Sequence, residues 1–256
     1  SHLIRNNHGR KEKTLWTENE EGIPITLSAL SDERAEAEYV ISEIQRIAAD
    51  ERRPYTDFAI FYRTHAQSRQ FEEVFRREKI PYEIVGGLRF YDRKEIKDVL
   101  AYFKVLQNPQ DSVSLKRIIN VPARGIGKTT IEKLESIQNE LERNRRETAA
   151  REDASPVDAS LFSALRIAAR EPGVVSAGTA KKLSAFHSFL ERLFSEREKL
   201  LLTELYHRIL DETRYVQVLR EEGTEESAAR IENLEEFNTV LQEFEESRLE
   251  GLTEEE

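Results

Sequence analysis

The sequence predicts an α/β segment running into an all-α one: an incomplete parallel sheet, then a mainly helical subdomain with a helix-hairpin-helix-like turn. Three observations carry this. Between residues 22 and 87, short apolar runs alternate with helix-periodic stretches. From Tyr91 onward the apolar spacing is helical almost throughout. Charged residues make up 34% of the 256 and hydrophobic ones 38%, a balance that suits a soluble, helix-rich chain of one large or two small domains.

The α/β elements read in order. "GIPITLSAL" (22–30) is a strand candidate. Ser31 or Asp32 can cap the helix that follows, where Ala37, Val40, Ile41 and Ile44 form one apolar stripe. "DFAIFYR" (57–63) suits a buried strand, and "AQSRQFEEVFRREKI" (66–80) a helix with Phe71, Val74 and Phe75 on one face. "PYEIVGG" (81–87) ends the series in two glycines. A β-α-β-α-β order implies parallel strands, and three of them make an unfinished sheet. The boundary falls near 88–92.

In the helical part, "RKEIKDVLAYFKVLQN" places Ile96, Val99, Leu100 and Phe103 on one side. Lys97 and Lys104 share a face, with Lys94 beside Lys97. Further helices are expected at about 129–143, 158–170, 176–197, 201–220 and 225–247. The stretch 143–160 is polar and reads as a loop or a loosely held helix end; Pro156 and Pro172-Gly173 are breaks.

"VPARGIGKTT" (121–130) contains Gly127-Lys128-Thr129, the second half of a phosphate-binding P-loop. The first glycine of that pattern should stand at 122, where the chain has Pro122, which lacks an N–H donor. The preceding "SVSLKRIIN" reads as a helix turn or two, whereas a P-loop follows a strand. What remains is helix, Gly-Ile-Gly turn, helix. Such a turn can offer successive N–H groups to DNA phosphates, with Arg124 and Lys128 adding charge, or it can be a plain turn between helices.

The formal net charge is −10, yet it is unevenly spread. Residues 89–133 carry ten Lys or Arg against five Asp or Glu. Residues 221–256 carry fourteen Glu against Arg230 and Arg248, an acidic end that reads as leading into a linker. The basic block is either a nucleic-acid footprint or a solvated face. With no cysteine there is no disulfide; His2, His8, His65, His187 and His207 show no metal-ligand spacing; no apolar run is long enough for a membrane. A cytoplasmic location is expected. No catalytic constellation and no metal site are expected. The chain opens at Ser1-His2 with no natural start, so an excised fragment is expected; the absence of methionine is a separate oddity of the composition.

Residues 57–134, from "DFAIFYRTHAQSRQFEEVFRREKIPYEIVGGLRFYDRKEIKDVLAYF" through "VPARGIGKTTIEKL", closely resemble the UvrD/PcrA/Rep family of superfamily 1 DNA helicases. That family carries Y-R-x-N-A-Q-S-R, then I-P-Y-x-I-x-G-G, then R-x-E-I-K-D, then R-G-I-G. "NNHGRKEKTLWTENEEGIPI" and "ARIENLEEF" are similar as well, and His65 replaces the usual asparagine. The resemblance implies a partial second RecA-like (2A) domain at 1–90, holding an incomplete RecA-like sheet, and a helical 2B accessory subdomain at 91–256. It implies a parent ATP-dependent helicase that uses ATP and Mg, of which this part lacks a complete ATP site. It implies that Gly125, Ile126, Gly127 and Thr130 hold duplex phosphates, that Lys97 and Lys104 approach the duplex, and that Arg63, Gln67, Ser68 and Arg69 lie near single-stranded DNA. The partners implied are a single-strand–duplex junction, the rest of the motor, and repair or replication proteins. For each residue a local role stands beside the DNA role: Gln67 and Ser68 can cap a helix, and the lysines can form intrahelical pairs. A protein-interaction or autoinhibitory module is the alternative function.

Overall fold

The computed structural model describes residues 16–18, 21–148 and 158–253, with side chains to 248. Ten α-helices are present among them: α1 (Glu33–Asp50), α2 (Ser68–Arg77), α3 (Lys94–Gln107), α4 (Ser112–Ile118), α5 (Lys128–Thr148), α6 (Leu161–Arg170), α7 (Ala177–Glu196), α8 (Leu202–Thr213), α9 (Tyr215–Glu222) and α10 (Glu225–Thr253). Polar side chains start several of them. Asp32 accepts the Ala35 N–H at 2.8 Å, Asp111 that of Ser114 at 3.0 Å, and Ser160 that of Ser163 at 3.1 Å. Each satisfies one of the orphan donors of a first turn.

Helix α3 is the spine. Ile96 and Val99, with Phe90 just before the helix, pack against Tyr206 and Leu210 of α8, Tyr215 and Leu219 of α9, and Leu234, Phe237 and Leu241 of α10. Further along α3, Tyr102, Val105 and Leu106 join a second core with Leu115, Ile118, Ile126, Leu134 and residues of α6 and α7. Phe103 touches both. Phe90 is fully buried, and burial on that scale contributes about 1.5–3 kcal/mol. A smaller cluster joins α1 to α2 through Ala37, Ile41, Phe71, Val74 and Ile80.

The expected parallel sheet is absent: no strand occurs among the described residues. Segments 22–30, 57–63 and 81–87 run without ladder hydrogen bonds between them. Ile23, Ile25 and Leu27 are 92%, 100% and 95% exposed, and Phe61 and Val85 are exposed too. Parallel strands hold when both faces are covered, and only α1 and α2 are at hand to cover anything here, through Ile60. Pro24 and Pro81 also remove ladder donors from two of the three segments. The apolar runs were real, but periodicity cannot tell a strand from an unpaired extended segment.

The helices expected in the second part are present, with three changes. Helix α5 runs past 143 to Thr148, into the stretch read as a loop or a loosely held helix end. The stretch 201–220 is two helices, broken at Arg214, which adopts φ 55°. No glycine or proline marks that break. The last helix continues beyond 247 to Thr253. Residues 149–157 of the polar stretch, and the N-terminal part of the family-like "NNHGRKEKTLW", lie outside the described residues.

Candidate nucleic-acid interface

The Gly-Ile-Gly turn lies between α4 and α5 and is held from beneath. Asn120 Oδ1 accepts the N–H of Arg124 at 2.8 Å and of Ile126 at 3.1 Å. The Arg124 guanidinium donates to the carbonyls of Ile118 and Val121, each at 2.9 Å, and to the Tyr102 hydroxyl at 2.7 Å. It also lies over the Phe186 ring, 4.8 Å from the centroid. Arg124 is therefore spent on the orphan carbonyls at the end of α4. Ile126 points inward and is part of the core.

Gly125 has φ +68°, the left-handed region that glycine enters freely. A Cβ there would stand 2.6 Å from Lys182 Nζ, which donates to the Gly125 carbonyl at 3.0 Å. Gly127 differs. Its φ lies outside the left-handed range and a Cβ would meet nothing within 4 Å. Its carbonyl accepts Thr130 and Ile131 N–H at the start of α5. Among the described residues, no hydrogen bond uses the N–H of Gly127, Lys128 or Thr129. Three donors in sequence at a helix N-terminus form an anion-binding arrangement. Lys128 is exposed and 3.7 Å from Glu132; Thr130 is half-buried.

Of the two α3 lysines, Lys97 pairs with Asp92 at 2.7 Å, an ion pair to the preceding turn. Lys104 is exposed and forms no ion pair among the described residues. The structure does not bring Arg63, Gln67, Ser68 and Arg69 to a common surface. Gln67 Oε1 accepts the N–H of Arg63 at 2.8 Å and of Thr64 at 3.0 Å, closing a capping box over His65–Gln67. Arg63 is exposed. Ser68 is buried, donating to Glu72 and accepting from Arg93, each at 2.8 Å. Arg69 is 1% exposed and bonded to Glu236, to Glu73 at 3.0 Å and to Glu243 at 3.0 Å. Burial works to lower its pKa, but the hydrogen bonds it donates to Glu243 and Glu236 outweigh this and hold it well above the ordinary arginine value.

Sequence reading missed the network around Arg93. Arg93 donates to Asn233 Oδ1 at 2.6 Å, to the His65 carbonyl at 2.7 Å and to Ser68. Asn233 in turn donates to Glu95 at 2.6 Å, and Arg230 lies 3.5 Å from Glu95. Asp98 accepts from Arg117 at 2.7 Å and from Tyr215 at 2.8 Å. Burial, then the Asp98 charge, push the Tyr215 hydroxyl far up. These partners lie on α2, α3, α4, α9 and α10, so no local spacing announces them. Asn120 and Lys182 were missed as well.

An open apolar groove of about 650 Å³ runs between α3, α8 and α10, lined by Leu100, Phe103, Leu202, Val240 and Phe244 among others. Among the described residues no helix is long and apolar enough to cross a membrane, and no cluster of His, Asp or Glu could hold a metal.

Comparison with known proteins agrees with the resemblance in the sequence. The family model for the UvrD-like helicase C-terminal domain matches residues 1–256. The chain is 40% identical to the ATP-dependent DNA helicase PcrA of Bacillus subtilis over 243 residues, which is 95% of this chain and 30% of that protein. It is 39% identical over 251 residues to the proteins of that name in Staphylococcus epidermidis and Staphylococcus aureus, covering 96% of this chain and 31% of each. The chain thus spans about a third of the length of these relatives. Matched along its whole length, it belongs to the UvrD-like helicase C-terminal domain family.

Proposed function

We propose that this chain is the DNA-binding accessory portion of an ATP-dependent DNA helicase of the UvrD/PcrA/Rep type, and that its helical part grips the backbone of duplex DNA at a junction through the Gly125–Gly127 turn. The observation that carries the reading is Gly127. Neither its φ nor its packing requires glycine. As the residue before α5 it stands at a capping position, where Asp, Asn or Ser would serve the helix better by roughly a few tenths of a kcal/mol. An external surface that must come close to three free N–H groups gives that glycine a reason. Phosphate contacts of this kind position a protein on DNA without reading bases.

ATP and Mg belong to the parent in this reading. Residues 127–129 do not make a P-loop: they open a helix that follows another helix, and Lys128 lies beside Glu132. Arg63 is the free member of the segment expected near single-stranded DNA, with Gln67, Ser68 and Arg69 shaping the backbone behind it. Lys104 is the freer of the two α3 lysines.

Fluorescence anisotropy with a DNA hairpin bearing a single-stranded tail tests the reading. Gly127→Val is expected to weaken binding with no loss of charge; unchanged affinity across a salt series, with the fold intact, would sink it. The apolar groove beside Phe244 favours a second reading, a protein-interaction or autoinhibitory module. That reading takes the lead if binding to the motor core survives while DNA binding is absent.

A further inference from the structure

Two long stretches of this chain carry no acidic residue. They are 112–131 and 172–190, twenty and nineteen residues, in a chain where 49 of 256 residues are Asp or Glu. The first holds α4, the turn and the start of α5; the second holds nearly the first four turns of α7. They meet at one place. Phe186 of α7 lies under Arg124, and Lys182, one helical turn earlier, reaches Gly125. Two segments without acids of their own are thus folded against each other at the Gly-Ile-Gly turn, although Lys116, Arg117 and Lys128 lie beside Glu135, Asp98 and Glu132 from outside them.

Lys182 is exposed and forms no ion pair among the described residues. Its ammonium has three donors, and among the described residues its one hydrogen bond is to the Gly125 carbonyl. Gly125 and Gly127 are two Cα steps apart, at most about 7.6 Å. The free N–H groups at 127–129 therefore lie within the span of one phosphate group and its neighbours. The missing Cβ at Gly125 is what lets the ammonium sit there, since a Cβ would stand 2.6 Å from it.

We propose that Lys182 is a further phosphate-contacting residue of this interface, sharing its ammonium between the Gly125 carbonyl and a backbone phosphate of duplex DNA. The inference rests on the DNA-binding reading above and extends the grip from the turn to α7. A lysine acts here as a compact point charge, while the turn supplies directed N–H groups.

The test uses the whole chain, the tailed hairpin and a salt series. Lys182→Gln keeps a donor for the Gly125 carbonyl and removes the charge; Lys182→Ala removes both. Both are expected to weaken binding at low salt and to reduce the slope of log K against log salt by about 0.9. Lys181→Ala, one position along α7, is expected to leave the slope unchanged. Normal binding by Lys182→Gln alongside weakened binding by Gly127→Val overturns the inference and makes Lys182 a brace for the turn. An equal loss from Lys181→Ala overturns it too, because the effect is then general charge. If Gly127→Val and Lys182→Ala both bind normally, the DNA reading itself fails.

Discussion

Arg93 Nη1 donates to Asn233 Oδ1 at 2.6 Å, joining residues 140 positions apart in the chain. Both side chains are buried, and through Ser68 and Glu95 they tie α2, α3 and α10 into one polar seam. A buried guanidinium without its acceptor is costly, so the seam is held together by need as much as by attraction.

Asn233→Ala is expected to leave Arg93 and Glu95 each short of one partner. The loss should be about 2–3 kcal/mol, read as a lower urea midpoint with unchanged slope. Hydrogen exchange should show faster opening both around residues 65–93 and in α10. Opening confined to α10 would mean that the seam does not couple the two ends.

The two glycines of the turn should separate in stability. Gly125→Ala forces a left-handed φ on a residue with a Cβ and displaces Lys182, and should cost about 1–2 kcal/mol. Gly127→Val meets no neighbour and should cost no more than about 1 kcal/mol, from the altered cap. Thermal melts of the two variants check this; a larger loss at 127 than at 125 contradicts the geometry.

His187 sets a pH dependence. Its ring stacks on Phe162 at 5.2 Å, and its buried Nε2 has no hydrogen bond among the described residues. Burial lowers its pKa below the ordinary 6.5; Glu191 opposes this and Arg170 and Arg166 add to it. The unfolded chain therefore takes up the proton first. The contribution of neutral His187 is full above pH 6.5, falls as pH drops below it, and levels once the folded pKa is passed. His187→Phe is expected to flatten that part of a stability–pH curve measured by chemical denaturation. An unchanged slope between the two proteins would assign the effect elsewhere.

The chain with ATP, magnesium and single-stranded DNA is expected to show no phosphate release above buffer. The motivation is Pro122 and the helical setting of Lys128. Turnover abolished by Lys128→Ala would restore a nucleotide loop at 127–129; turnover that survives it would point to a site elsewhere in the chain.

Much of the helical content was legible because its signals are local. Ile96, Val99 and Phe103 repeat at helical spacing, and Asp32 precedes α1 where a cap belongs. The break at Arg214 was not legible, since an arginine in left-handed backbone leaves no compositional mark. The sheet was misread because Ile23, Ile25 and Leu27 alternate as a strand would, while pairing depends on neighbours that alternation cannot supply. At the candidate site, the glycines and basic residues could be read from order alone. Which bases were already occupied could not: Arg69 and Arg124 look as available as Arg63 and Lys104 until their partners, distant in sequence, are in place.

Asn120 and Arg124 fix the turn through bonds made entirely within the protein. A loop that must be ordered on binding forfeits about 1–2 kcal/mol of backbone entropy for each residue frozen. This loop is frozen in advance, as part of the folded core through Ile126. A surface that already holds its final shape forfeits little further entropy when a ligand docks on it, so the proposed phosphate contact would form and release at little thermodynamic expense.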